Sequence, residues 1–183
     1  SLRKAVMVSA IIVAGGRGNR FKSDLAKQYQ LLAGRPVLSH TLSVFAACET
    51  VEELVLVVPP GDENYCREKV LPEVAPVRNV KLVAGGKQRQ DSVFNGLRAV
   101  SGNNDKKVVI HDGVRPLVSH QLIHDCLAGL ENAAGCIAAV PAVDTLKAVE
   151  TDDMITRTLD RTGIWLAQTP QAFRYDIIRN AHE

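Results

Sequence analysis

The sequence lacks closely spaced cysteines, long apolar runs and a strong net charge, and each absence excludes a class of protein. Its four cysteines form no Cys-x-x-Cys pair, which argues against a cysteine metal site and against a disulfide scaffold. We therefore expect free thiols and a reducing, cytoplasmic setting. No uncharged apolar run approaches the roughly 20 residues that a membrane-spanning helix needs, so we expect no membrane association.

The charge balance argues against nucleic acid as a partner. The 22 Lys and Arg residues against 20 Asp and Glu residues give a net charge of +2, which is too small to attract a polyanion through the global field. The basic excess is local: between Arg3 and Lys27, six cations accompany one acidic residue, Asp24. This pattern suits a small anionic ligand.

Short apolar runs alternate with amphipathic segments along most of the chain, which has the length of one well-buried domain over residues 1–183. This alternation predicts an α/β fold, a Rossmann-like, mostly parallel twisted sheet with helices on both faces. The predicted strands are Val6–Val13, Leu54–Val58, Val80–Val83, Lys107–Ile110 and Cys136–Val140. The predicted helices are Pro36–Cys48, Asp62–Leu71, Ser119–Ala133 and one that is capped by Asp91 or Ser92 and ends near Val100.

The rhythm changes after Pro141. Two strand-like segments, Asp144–Val149 and Ile155–Leu159, flank a polar turn and predict a β-hairpin. Exposed apolar hairpins commonly need a partner, so we interpret residues 142–161 as a protruding arm that packs against a second subunit of a homodimer. A helix is predicted from Arg174, and because the sheet domain stops part-way along it, we expect an incomplete C-terminus.

A glycine-rich loop follows the first predicted strand. Gly15, Gly16 and Gly18 are interleaved with cations that include Arg20 and Lys27. Backbone N–H groups freed of side-chain bulk, together with Lys and Arg, favour a polyphosphate. The loop lacks the Gly-Lys-Ser/Thr of a Walker A motif. It also has Phe21 where a dinucleotide fold needs its third glycine, which makes a dehydrogenase a distant alternative.

Two further strand ends carry polar groups. One has Gly85-Gly86 followed by Arg89 and Ser92, and the other has His111-Asp112 followed by Arg115. Ligands of such sheets bind at the carboxyl ends of the strands. Asp112 is a candidate magnesium ligand near a polyphosphate or a hydrogen-bond acceptor for a substrate hydroxyl, although a lone aspartate is more often a turn residue. Because no protein nucleophile is evident, the pattern indicates phosphoryl-type transfer by positioning and charge stabilisation.

The motifs together resemble a known family. Ala14-Gly15-Gly16-x-Gly18-x-Arg20-Phe21 followed by Lys27-Gln28-Tyr29 is similar to the signature of sugar- and polyol-phosphate nucleotidyltransferases. Four further stretches resemble 2-C-methyl-D-erythritol 4-phosphate cytidylyltransferases of the non-mevalonate isoprenoid pathway. They are Gly85-Gly86-x-x-Arg89-x-Asp91-Ser92-Val93, His111-Asp112-x-x-Arg115-Pro116, Asp144-Thr145-x-Lys147 and Asp160-Arg161-x-Gly163-x-Trp165-x-x-Gln168-Thr169-Pro170-Gln171.

The resemblance implies transfer of CMP from CTP to 2-C-methyl-D-erythritol 4-phosphate with Mg²⁺ and loss of pyrophosphate. Arg20 and Lys27 match the catalytic pair that stabilises the reacting α-phosphate. The nucleotide-binding positions are Ala14, Gly15, Gly16, Gly18, Gly86, Arg89 and Ser92. The substrate-positioning residues are Asp112, Arg115, Thr145 and Arg161, of which Asp112 is also the candidate metal ligand.

The chain departs from the family pattern at two places and leaves two other functions open. Lys87 stands where some relatives carry an acidic residue, and Gly113-Val114 replaces an Ala-Ala pair. The family also has a phosphate-binding lysine beyond Glu183. A ribitol 5-phosphate cytidylyltransferase is the nearest alternative, and a nucleotide-binding regulatory module without turnover is an alternative of another class.

Overall fold

A buried strand, β1, lies near the centre of a six-stranded sheet. The computed structural model describes residues 8–16, 25–76, 78–102 and 106–183. The strands are β1 (Val8–Val13), β2 (Leu31–Leu32), β3 (Arg35–Pro36), β4 (Val51–Val58), β5 (Val80–Ala84), β6 (Lys107–Asp112), β7 (Gly135–Pro141), β8 (Leu146–Val149), β9 (Ile155–Leu159) and β10 (Trp165–Arg174). The helices are α1 (Val37–Ala47), α2 (Glu63–Tyr65), α3 (Arg89–Ala99), α4 (His120–Ala128) and α5 (Tyr175–Asn180).

The sheet has the order β5-β4-β1-β6-β10-β7. Strands β5, β4, β1 and β6 run parallel, and β10 runs antiparallel to both of its neighbours. The predicted mostly parallel α/β sheet is therefore confirmed. Because β1, β5 and β6 are parallel, their carboxyl ends meet at one edge, where the polar loops follow.

Side chains alternate between two hydrophobic cores along β1, which is why that strand reads as a continuous apolar run. Ala10 and Ile12 pack on the face covered by α1 and α4. Ile11 packs on the opposite face with residues of α3 and with Tyr175, the first residue of α5. No helix in the part of the chain that the structure describes is long and apolar enough to cross a membrane.

Strand β10 has no counterpart in the sequence prediction. It holds Pro170, which has no N–H to donate to a ladder and so argues locally against a sheet strand. The structure accommodates the proline at an irregularity, because the pairing with β7 shifts register between Ala167 and Gln171. A strand with a proline at such an irregularity lacks the alternating pattern that a sequence reading detects.

Two helix boundaries also differ from expectation. Helix α3 begins at Arg89, and its cap is Gln88: the Gln88 side chain accepts from the Asp91 N–H, and the Asp91 carboxylate accepts from the Gln88 N–H. Asp91 thus serves as the second member of a capping box, and Ser92 faces inward. The segment predicted as one helix from Asp62 is a short α2, a π-helical turn at Cys66–Val70 and a 3-10 turn at Leu71–Glu73.

The predicted hairpin is present. Strands β8 and β9 pair antiparallel as a separate two-stranded sheet. Its apolar side chains are largely exposed, with 52% of Val149, 63% of Met154 and 60% of Ile155 accessible. Within one chain, this hairpin therefore buries little of its own apolar surface.

Candidate active site

A cavity of about 310 Å³ opens at the carboxyl ends of the parallel strands. It brings together three loops that lie far apart in the sequence: those that follow β1, β5 and β6. The predicted site residues that line it are Ala14, Gly15, Gly16, Lys27, Gly86, Arg89, Ser92 and Asp112. Lys87, the first departure from the family pattern, also lines this cavity.

The glycines in two of these loops are required by close packing. A Cβ atom placed on Gly85 would lie 2.9 Å from Ser92 Oγ and 3.3 Å from Gly15 Cα, and one placed on Gly15 would lie 3.0 Å from the same hydroxyl. The loops after β1 and β5 therefore touch through their backbones. A Cβ on Gly16 would meet none of the described residues within 4 Å, so the described part of the chain leaves space for a ligand beside it.

Ser92 braces the second loop. Its buried hydroxyl accepts a hydrogen bond from the Gly86 N–H at 3.1 Å and donates to the Gln88 carbonyl oxygen at 3.2 Å. Both ends of the Gly86–Gln88 turn are thereby attached to the start of α3. The hydroxyl shapes the cavity wall in addition to lining it.

Asp112 lies between two arginines. Arg89 donates to Oδ1 from Nε at 3.2 Å and from Nη2 at 3.0 Å, and Arg115 Nε donates to Oδ2 at 3.2 Å. The Asp112 N–H donates to Thr169 Oγ1 at 3.2 Å. Arg115 in turn donates from Nη1 to Gln168 Oε1. Two guanidinium groups beside one carboxylate leave net positive charge at this side of the cavity.

His111 supports the turn beneath this ion cluster. Its ring is fully buried against Phe45, with ring centroids 5.1 Å apart, and its Nε2 lies 3.0 Å from the Arg115 carbonyl oxygen. Because a carbonyl oxygen can only accept, Nε2 carries the proton. Burial lowers the pKa of His111, so the ring is neutral and holds the Asp112–Arg115 turn without adding charge.

Gly113, the glycine of the second departure from the family pattern, has a packing explanation. A Cβ on Gly113 would lie 2.7 Å from Leu38 Cδ1 and 3.1 Å from the Ala14 Cβ. Leu38 of α1 thus occupies the space that an alanine side chain would need. The Thr41 hydroxyl, also on α1, donates to the Gly113 carbonyl oxygen at 2.8 Å.

The residues of the cavity fit a magnesium ion that arrives with a nucleotide. Among the described residues there is no group of three or more His, Cys, Asp or Glu side chains suited to hold a metal. Asp112 is the one acidic side chain among the described cavity residues. Mg²⁺ is commonly held by one or two carboxylates together with substrate phosphates and water, and a single carboxylate beside a polyphosphate site matches that mode.

Thr145 and Arg161 do not join this cavity within one chain. They line a different concavity of about 350 Å³ at the base of the hairpin, together with Thr158, Leu159 and Asp160. Arg161 Nη1 donates to the Val143 carbonyl oxygen, across the entry to the hairpin. Arg115 is absent from the lining of both cavities and meets the first through its ion pair with Asp112. Gly18 and Arg20, the last two predicted site residues, lie outside the described residues.

Gln28, Gln168 and Thr169 contribute to the site although they were not among the predicted site residues. The buried Gln28 side chain lines the cavity and donates from Nε2 to the carbonyl oxygens of Ala14 at 3.0 Å and Gly16 at 3.2 Å. Gln168 and Thr169 hold Arg115 and the Asp112 N–H, respectively. All three residues belong to motifs that carried the family resemblance, which was the one signal available for them.

A larger groove of about 690 Å³ adjoins Arg115 and Thr169 between α4 and β7. Its walls are mainly aliphatic and include Leu122, Ile137 and Val140. Among the described residues its lining has no glycine and one Lys or Arg side chain, Arg115, whereas Lys27, Lys87 and Arg89 line the smaller cavity. The smaller cavity is therefore the better site for a polyphosphate.

Comparison with known proteins agrees with this geometry. A family model described as 2-C-methyl-D-erythritol 4-phosphate cytidylyltransferase matches residues 8–183. The chain belongs to this family. A cytidylyltransferase of that name from Cereibacter sphaeroides is 51% identical over 174 residues, which cover 95% of this chain and 76% of the relative. One from Geotalea uraniireducens is 45% identical over 177 residues, covering 96% and 76% of the two chains.

Solved structures in the cytidylyltransferase family share the fold. The crystal structure of 4-diphosphocytidyl-2C-methyl-D-erythritol synthase from Anaerococcus prevotii is 31% identical to this chain and superimposes with a TM-score of 0.80. The match covers 97% of this chain and 74% of that chain. The Thermus thermophilus cytidylyltransferase has a TM-score of 0.72 at 29% identity, over 97% of this chain and 75% of that chain.

Proposed function

We propose that this cytidylyltransferase transfers CMP from CTP to 2-C-methyl-D-erythritol 4-phosphate, which gives CDP-methylerythritol and pyrophosphate. The observation that carries the proposal is the cavity that the glycine loop, Lys27, Arg89 and Asp112 line together, with Arg115 paired to Asp112 beside it. Family membership supplies the nucleotide and the acceptor.

The reaction needs no covalent intermediate. A phosphate oxygen of the polyol phosphate attacks the α-phosphorus of CTP, a new P–O bond forms, and the bond to the β-phosphate breaks as pyrophosphate leaves. Negative charge grows around the α-phosphorus in the transition state. The Lys27 ammonium, and Arg20 by its position in the motif, would stabilise that charge more strongly in the transition state than in the ground state.

The backbone at the cavity supports recognition of the nucleotide. The loops of Ala14–Gly16 and Gly86–Ser92 form two sides of the opening. Their glycines let the ligand approach backbone N–H groups closely. Because Lys87 is at the rim, it adds positive charge where some relatives have an acid.

Asp112 is the residue that would hold magnesium in this site. The ion would neutralise phosphate charge and so assist departure of pyrophosphate. Arg89 and Arg115 already bind both carboxylate oxygens, so an arriving ion would share the carboxylate with them or replace one of them. Without a metal, the proposed role of the same carboxylate is to accept a hydrogen bond from a polyol hydroxyl.

We further propose that the chain is a homodimer in which the arm at residues 142–161 completes the partner's site. Thr145 and Arg161 line a concavity separate from the cavity of their own chain. Exposed apolar side chains on and near the hairpin, among them Val143 at 72% and Ile155 at 60%, support a covered surface in the assembly. The four free thiols support our proposal of a reducing, cytoplasmic setting.

The decisive test of the reaction is a comparison of acceptors. The protein would be incubated with CTP, Mg²⁺ and either 2-C-methyl-D-erythritol 4-phosphate or ribitol 5-phosphate, and phosphorus NMR would follow the CDP-polyol and pyrophosphate. We expect product with the first acceptor. Turnover of ribitol 5-phosphate alone would overturn the proposed acceptor, and binding of CTP without pyrophosphate release from either would favour a regulatory module.

A further inference from the structure

Gln28 is a buried polar side chain whose amide nitrogen is directed at the backbone of the cavity loop. Only 2% of the residue is exposed, although glutamine is usually a surface residue. Its Nε2 donates to two carbonyl oxygens, those of Ala14 at 3.0 Å and Gly16 at 3.2 Å. Because both acceptors are carbonyls, the chemistry itself fixes which end of the amide faces them.

These two hydrogen bonds connect separate parts of the cavity wall. Ala14 and Gly16 belong to the loop after β1, and Gln28 belongs to the 3-10 turn Lys27–Tyr29. Lys27 is the residue that precedes Gln28. The amide therefore fixes the distance between the glycine loop and the backbone that carries the Lys27 side chain.

The amide also changes the electrostatics of the loop. A carbonyl oxygen carries partial negative charge, and two of them beside a polyphosphate would repel it. The two N–H groups of Nε2 offset that charge and keep both carbonyls engaged away from the ligand. The loop can then present its N–H groups to an anion.

We propose that Gln28 is a positioning residue for cytidylyl transfer. Its amide holds Ala14–Gly16 against the Lys27 turn, so that the loop N–H groups and the Lys27 ammonium act on the same phosphates. Gln28 touches no reacting atom and acts through these neighbours. The inference rests on the proposed function and adds to it a determinant of transition-state geometry.

The test compares variants that differ in the amide. Gln28→Met keeps the length of the side chain and removes both donors, and Gln28→Asn keeps the amide but withdraws it by one methylene. We expect kcat to fall by about 10-fold or more in Gln28→Met, because small displacements of catalytic groups have effects of that size. KM for CTP should change by a much smaller factor, and Gln28→Asn should lie between wild type and Gln28→Met.

Ser39→Ala is the matched control. Ser39 is fully buried in α1, and its hydroxyl donates to the Val70 carbonyl oxygen at 2.9 Å. This is the same class of buried side chain–backbone hydrogen bond, but Ser39 does not line the cavity. We expect Ser39→Ala to lower Tm with kcat unchanged at a temperature well below Tm.

The outcomes separate this proposal from the proposed function. If wild type turns over and folded Gln28→Met keeps the wild-type kcat while Tm falls, Gln28 only stabilises the core and the inference is overturned. If Gln28→Met does not fold, Gln28→Asn decides by the same criterion.

If wild type forms no CDP product, the proposed function fails. In that case amide hydrogen exchange at Gly15, Gly16 and Lys27 tests whether Gln28 positions the loop. Faster exchange in Gln28→Asn than in wild type would support this positioning, and unchanged exchange would overturn it.

Discussion

Single side chains determine how the cavity interacts with a polyphosphate. Lys27 is exposed and lines the cavity beside the glycine loop, so its ammonium can reach a bound phosphate. A cation at the reacting phosphorus contributes most when negative charge has developed. It should therefore affect kcat more than binding of the ground state.

The prediction for Lys27 follows from that role. Lys27→Ala should lower kcat by about 100-fold, as loss of a transition-state donor usually does, and Arg20→Ala should do the same. Steady-state kinetics with varied CTP would check both variants. Lys69→Ala, which removes another exposed lysine, is the control and should retain wild-type kcat. A rise in KM at constant kcat would make Lys27 and Arg20 binding residues and refute the mechanism.

Some residues of the site could be predicted from the sequence, and others could not. The glycines, Lys27, Arg89 and Asp112 could be placed at strand ends because a parallel sheet collects its carboxyl ends at one edge. Gln28 could not be assigned a role from local pattern, because a buried amide that binds two carbonyls has no sequence periodicity of its own. Its function depends on the packing of a loop against a turn, which only the structure shows.

At the scale of elements, the hairpin was predictable and strand β10 was not. Residues Asp144–Val149 and Ile155–Leu159 show strand patterns around a polar turn, and β8 and β9 form there. Strand β10 contains Pro170 and the polar pair Gln168-Thr169, which interrupt the apolar pattern. Tertiary packing between β6 and β7 nevertheless places it inside the sheet, where Thr169 supports Asp112.

The arm leads to a prediction about two subunits. Lys27→Ala has a defective cavity and an intact arm, whereas Arg161→Ala has an intact cavity and a defective arm. If arms complete the partner's site, mixing the two inactive variants under conditions of subunit exchange should recover about 25% of wild-type activity, because half of the dimers then hold one intact site of two. Activity of the mixture checks the prediction.

Two controls accompany the complementation experiment. Arg157→Ala removes another exposed arginine from the same hairpin and should remain active alone. Sedimentation at micromolar concentration should show dimers for every variant. A monomeric wild type, or a mixture as inactive as its components, would show that each arm does not serve a neighbouring subunit.

In the molecule as a whole, a charged cluster that stabilises the fold lies at one end of the sheet and the cavity lies at the other. Glu53, near the start of β4, is at the opposite end of the strands from the cavity. It lies 2.6 Å from Lys81 Nζ and 3.6 Å from Lys106 Nζ, and Lys106 is almost completely buried. Burial opposes ionisation of Glu53, but hydrogen bonds from Lys81, Ser9 and Ser101 outweigh it and lower its pKa to about 2.

Glu53 should therefore stabilise the fold in a defined pH range. A carboxylate with a lowered pKa contributes its full stabilisation above its ordinary pKa of 4.5 and loses it as the pH falls towards 2. Glu53→Gln should lower the free energy of unfolding at pH 7 by about 3 to 5 kcal/mol, because it removes the Glu53 charge that lies beside the buried Lys106 ammonium. Urea unfolding at several pH values would measure this.

The matched control for Glu53 is its exposed neighbour on the same strand, Glu52. Glu52→Gln should change stability little, since an exposed carboxylate has few fixed partners. The stability of Glu53→Gln should also depend less on pH between 5 and 2 than that of wild type. Equal pH dependence in both proteins would mean that Glu53 does not carry the acid sensitivity.

A crystal structure of the protein with CTP and Mg²⁺ would test directly whether the cavity binds the nucleotide. We expect cytidine against the Ala14–Gly16 and Gly86–Ser92 loops, the triphosphate within reach of Lys27, and the metal ion bound to Asp112 and phosphate oxygens. CTP bound in the aliphatic groove between α4 and β7, or a triphosphate directed away from Lys27, would contradict this expectation.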